Sequence, residues 1–110
     1  MVKRIELRLV IVDKQDKHET HEAIFSEFVP CISWLGNVSG KIGRGAVKRF
    51  LVFTTITTEE GVTEFQNDFV DRVALLQTMA AGFGAVARAN NEETARHAFK
   101  LSREGGETPQ

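Results

Sequence analysis

The chain has 110 residues, 42% of them hydrophobic and 26% charged, with a formal net charge of -1, which suits one globular domain with its own core. A near-neutral total excludes a general polyanion binder, which is basic overall, and the longest apolar runs fall short of the roughly 20 residues that a membrane-spanning helix needs. The single cysteine, Cys31, rules out an internal disulfide, and the charged start Lys3-Arg4 stands where a signal peptide would be apolar, so the expectation is a cytoplasmic protein.

Residues Arg4 to Val12 alternate, with Ile5, Leu7, Leu9 and Ile11 on one face and Glu6, Arg8, Val10 and Val12 on the other, which predicts a strand. The polar run Asp13 to Lys17 ends it. Thr20 then caps a predicted helix with Ile24, Phe25, Phe28 and Val29 on its apolar side, and Pro30 stops that helix. Cys31 to Val38 reads as a short strand, with a kinked continuation of the helix as the alternative. After the glycine-dense stretch Gly36 to Gly45, Ala46 to Thr58 predicts a long strand in which Phe50, Val52, Thr54 and Ile56 face away from Leu51, Phe53 and Thr55. These two strands would form a hairpin.

Thr57 with Glu60 has the spacing of a capping box, and Phe65, Phe69, Val73, Leu76 and Ala80 make a helical stripe ending at Gly82. Phe83 to Ala89 reads as a strand of small residues and Asn90-Asn91 as a turn. Glu92 to Arg103 reads as a last helix with Ala95, Ala98 and Phe99 inward, and residues 105–110 as a polar tail behind one domain of residues 1–104. The order β-α-β-β-α-β predicts an α+β fold, a ferredoxin-like split β-α-β sandwich with an additional C-terminal helix. No internal repeat is visible in the residues.

Charge is unevenly placed. Residues 1–27 carry 5 basic and 6 acidic side chains, residues 28–58 carry 4 and 0, and residues 59–110 carry 5 and 9. The basic segment holds the glycine loop, so Gly40, Lys41, Gly43, Arg44, Lys48 and Arg49 form a candidate anion site. Gly36 to Lys41 lacks the glycine spacing and following Ser or Thr of a P-loop. Gly40-Lys41-Ile42-Gly43 resembles the GXXG loop of KH domains but leads into a strand instead of joining helices. Lys48 to Phe53 resembles the third strand of RNA-recognition modules, with Leu51 and Val52 where a small residue and a stacking aromatic belong.

His18 and His21 stand three apart, too few for a metal site without further ligands, and His97 is distant in sequence. Cys31 has no adjacent cation to activate it. Neither a cofactor nor a metal is expected. The leading expectation is a non-catalytic module that works by self-association or by binding a partner protein, since a sheet covered on one face leaves Val10, Val12, Leu51 and Phe53 to bury on the other. The alternatives are local binding of nucleic acid or a phosphate ligand by residues 36–49, and a small enzyme with a cleft between sheet and helices and His21 or Cys31 as its reactive group.

Overall fold

The computed structural model describes residues 2–40 and 46–89, with side chains as far as Val86. Four strands and two helices occur in the order β1 (Val2–Asp13), β2 (His18–Phe25), α1 (Phe28–Ser39), β3 (Val47–Thr58), β4 (Gly61–Phe69) and α2 (Arg72–Ala89). The fold is α+β: the strands form one antiparallel sheet in the order β2-β1-β3-β4. Each helix therefore comes directly after an edge strand, and the ferredoxin-like order predicted from the sequence is not the one adopted. The predicted last helix, the Asn90-Asn91 turn and the tail lie outside the described residues.

Two tight hairpins replace predicted helix starts. Asp13 ends β1 and its carboxylate accepts hydrogen bonds from the backbone N–H groups of Gln15 and Lys17, both at 2.9 Å. Asp16 sits at φ 62°, a left-handed conformation that aspartate tolerates, so the chain reverses within four residues and His18–Phe25 pairs along β1 instead of coiling into a helix. At the second reversal the Thr58 hydroxyl accepts from the Glu60 N–H at 3.1 Å, and Gly61 leaves the turn at φ 146°. Thr58, not Thr57, makes the turn contact, and the chain continues into β4 rather than into a helix.

Pro30 opens a helix where it was expected to close one. It is the third residue of α1, where a backbone N–H has no intrahelical partner and proline loses nothing. Cys31 to Val38 consequently lies inside α1, and the hairpin expected between it and the next strand does not form. Asp71 starts α2, its carboxylate accepting from the Val73 N–H at 3.0 Å. Gly82 and the predicted strand from Phe83 lie within α2, whose inward stripe is Leu75, Met79, Phe83 and Val86. Val73, expected inward, is 57% exposed.

The core lies between the helices and one face of the sheet. Ile5, Leu7, Leu9 and Ile11 of β1 stand opposite Ile56, Thr54, Val52 and Phe50 of β3, and Cys31, Leu35 and Val38 of α1 cover them together with the α2 stripe. Arg72 joins the helices: its guanidinium donates to the Ser39 hydroxyl at 3.0 Å and to the Gly36 carbonyl at 2.8 Å, closing the C-terminal turn of α1.

The register also uncovers a repeat. β1 and β3 are both 12 residues long and start 45 residues apart (47 − 2), and position 8 of the first half pairs with its equivalent, position 53, of the second. A local two-fold axis thus relates two β-β-α halves, passing between Arg8 and Phe53. Its sequence trace is faint because equivalent core positions share only apolar character, as in Ile5 and Phe50 or Cys31 and Leu75, and one exchanges Leu9 for Thr54.

That polar substitution has a consequence for stability. The side-chain oxygens of Thr54, Thr63 and Asn67 are buried on the helix-covered face with no hydrogen-bond partner among the described residues. Valine has nearly the shape of threonine without the hydroxyl, so Thr54→Val should stabilise the fold by about 1 kcal/mol, read as a rise in melting temperature of about 4–8 °C.

Candidate functional site

The face of the sheet turned away from the helices is built by simple alternation. Each strand that buries its odd or even positions must present the others, so β1 offers Glu6, Arg8, Val10 and Val12, and β3 offers Arg49, Leu51, Phe53 and Thr55. Cross-strand pairing arranges these in rows. The middle row runs Glu22, Arg8, Phe53, Gln66; on one side of it lie Thr20, Val10, Leu51 and Asp68, and on the other Ile24, Glu6, Thr55 and Glu64.

The four residues expected at an interface, Val10, Val12, Leu51 and Phe53, all belong to this open face and to its two central strands. Val10 and Val12 are already covered, at 9% and 4% exposure, while Leu51 and Phe53 are half-buried. The Arg8 guanidinium lies 4.3 Å from the centre of the Phe53 ring, a cation–π contact on the local axis. Around this pair opens a groove of about 480 Å³ walled by Glu6, Glu22, Glu64 and Gln66. Arg4 donates to Glu6 at 3.2 Å at its rim. Ile24, 60% exposed, and Val62, 57% exposed, add apolar surface at the same end.

Sequence reasoning missed Arg8 and the groove walls. Alternation in β1 did place Arg8 beside Val10, but its contact with Phe53 depends on a register that no single strand encodes.

The candidate anion site is only partly within the described residues. Gly40 terminates α1, its N–H donating to the Gly36 carbonyl at 3.2 Å, and a Cβ there would stand 3.1 Å from Arg72 Nη2. Lys41, Gly43 and Arg44 lie outside the described residues. Lys48 is exposed and donates to the Asp16 carboxylate at 2.8 Å, which, by that hydrogen bond and its charge, holds the Asp16 carboxyl below its ordinary 3.8. Arg49 is on the open face, opposite Val12. The Lys14 N–H donates to the Ala46 carbonyl at 3.2 Å, so the β1–β2 turn, with Lys14 and Lys17, lies against the start of β3.

The remaining reactive groups are dispersed. His21 is paired with Glu19 on edge strand β2, and His18 stands opposite Val12 at the far end of the open face. His97 is outside the described residues, among which no group of three or more metal-ligating side chains occurs. Cys31 is fully buried, donates its thiol hydrogen to the Glu27 carbonyl at 3.3 Å, and is pushed up by burial from 9.0 to about 12. A protonated, inaccessible thiol is no nucleophile, so folded protein should resist alkylation at pH 8 and react once unfolded. Because the folded state holds the proton more tightly, Cys31 supports stability fully below about pH 9, and that contribution should be lost as pH rises from 9 towards 12 in alkaline denaturation.

Comparison of the chain with protein-family models, curated proteins and solved structures finds no match. No helix among the described residues is long and apolar enough to cross a membrane.

Proposed function

We propose that this chain is a small non-catalytic binding module that works by assembly, using the open face of its sheet. The observation that carries the reading is the centre of that face: half-buried Phe53 stands in the middle row with its ring under the Arg8 guanidinium, and half-buried Leu51 stands in the next row. A β-sheet packed on one side by two helices completes its burial when a second surface covers the other side. The polar side chains Glu6, Glu22, Glu64 and Gln66 ring the Arg8–Phe53 pair, and an aromatic and an arginine at the centre with polar groups around them is a layout found in protein interfaces.

Light scattering over a wide concentration range tests this. The wild type should gain mass with concentration, and Leu51→Lys, which sets a charge in the middle of the face, should remain monomeric with its fold intact. A wild type that is monomeric throughout would remove self-association and leave only a different protein as the partner.

One observation favours a second reading, local binding of a polyanion. The contact of Lys14 with Ala46 brings the two lysines of the β1–β2 turn to the end of the sheet that bears Lys48 and Arg49, where the acid-free segment begins its strand. Phosphate contacts there would release counterions, so anisotropy of labelled RNA should fall steeply with salt and should be reduced further by Lys48→Ala/Arg49→Ala. Absence of binding at low salt would discard this reading.

A further inference from the structure

We propose that Asp16 is a built-in competitor for the anion at the basic end of the sheet: its carboxylate holds the Lys48 ammonium, and a phosphate-bearing ligand binds there by taking that ammonium from it. This rests on the second reading above, local binding of a polyanion, and adds the residue that regulates it.

A break in register shapes the basic end. Between Val12 and Asp13 of β1 the pairing steps from Arg49 to Val47, so Lys48 is the extra residue of a bulge and does not have to alternate with Arg49. Just before it, the Ala46 carbonyl accepts from the Lys14 N–H, which holds the β1–β2 turn against the bulge. Lys14, Lys17, Lys48 and Arg49 are all exposed, and among the described residues Lys14, Lys17 and Arg49 have no ion pair. Residues 28–58 contain no acid, so β3 brings none to this end.

The turn supplies two carboxylates, and they do different things. Asp13 accepts from the N–H groups of Gln15 and Lys17, both at 2.9 Å, and is used in making the turn. Asp16 points out and accepts from Lys48 Nζ at 2.8 Å, with the two side chains 70% and 55% exposed, so a ligand in water can reach both.

Neither the turn nor stability asks for this charge. The turn needs a residue that accepts φ 62°, and asparagine or glycine would serve as well as aspartate. Ion pairs this exposed add little to stability. The Lys48 ammonium holds the Asp16 carboxyl below its ordinary 3.8, which keeps it ionised at neutral pH. What the carboxylate does is answer one of four cations as a phosphate oxygen would, through a charge-assisted hydrogen bond. A phosphate arriving at Lys14, Lys17 and Arg49 therefore meets Asp16 both as repulsion and as a rival for Lys48.

Asp16→Asn keeps the turn and removes the charge, so its melting temperature should equal that of the wild type. Anisotropy of labelled single-stranded RNA with the full chain, over a series of salt concentrations, reads the effect. Asp16→Asn should bind about two- to fivefold tighter than wild type, the range that an exposed ion pair is worth. Its logarithmic salt dependence should steepen by about 0.7, the share of one phosphate contact on a single strand. Asp16→Gly should behave as Asp16→Asn does. In a Lys48→Ala background the asparagine substitution should lose most of its gain, because nothing is left to compete for. Inorganic tripolyphosphate, titrated against the complex, separates the sources: displacement of RNA at equal phosphate concentration points to a small phosphate ligand and its failure to nucleic acid, and the Asp16 effect is required in either case. An equal gain in both backgrounds would make Asp16 a background charge and overturn the proposal. Unchanged affinity of Asp16→Asn would overturn it while leaving the polyanion reading, and no binding by either protein at low salt would discard that reading with it.

Discussion

Phe83→Ala should cost about 3–5 kcal/mol, the usual loss when a buried aromatic ring is cut back to a methyl group. Phe83 is 1% exposed, belongs to the inward stripe of α2 and stacks on Phe28 of α1 with ring centres 5.2 Å apart. It is therefore the side chain through which both helices and the sheet share one core. Domains of this size are stable by only about 5–15 kcal/mol, so the variant should unfold at a much lower urea concentration with an unchanged slope. An effect below about 1 kcal/mol would mean that the site collapses around the missing ring, and that α2 is not held as described.

The second large effect is expected at Arg72. Its guanidinium satisfies the Gly36 carbonyl and the Ser39 hydroxyl, both in the last turn of α1, where helix carbonyls have lost their own partners. The cation stands unfavourably at the start of its own helix and favourably at the end of the other, and the two charge-assisted hydrogen bonds decide the balance. Arg72→Met keeps the aliphatic stem and removes both bonds, and should cost about 2–3 kcal/mol. Arg72→Lys should recover part of this, because an ammonium group can reach one acceptor but lacks the planar fork that serves two. Equal stability of the methionine and wild-type proteins in urea titration would show that the contact between helices rests on packing alone.

The central strands were legible in the sequence because both alternate cleanly over more than four residues. Ile5 to Ile11 and Phe50 to Ile56 needed no partner to declare their faces. The edge strands were not. Phe65 and Phe69 are four apart, and four is close to a helical turn and also a whole number of strand repeats, so the spacing that predicted a helix fits β4 equally well. The same ambiguity made Ile24 and Phe28 look like one helical face when a strand ends and a helix begins between them. Pro30 misled for a different reason: proline is unfavourable inside a helix but harmless in the first turn, and the sequence alone does not say which end of the helix it occupies.

The same asymmetry governs the candidate site. Alternation was enough to gather Val10, Val12, Leu51 and Phe53 on one face, because that requires only the direction of each side chain. Which residues lie beside one another depends on register: the turns at Asp16 and Gly61 set it within each hairpin, while the pairing of β1 with β3, which no turn joins, sets Arg8 against Phe53. Hence Arg8 over Phe53 and the acidic walls of the groove came from the fold.

The measurement that bears most directly on the open face is the concentration dependence of backbone amide chemical shifts. With the open face as the interface, dilution should move the resonances of Arg8, Val10, Leu51, Phe53 and Gln66 together, along one binding curve, while those of α1 and α2 stay fixed. Shifts confined to the helices, or to Lys14, Lys17 and Lys48 at the basic end, would contradict it.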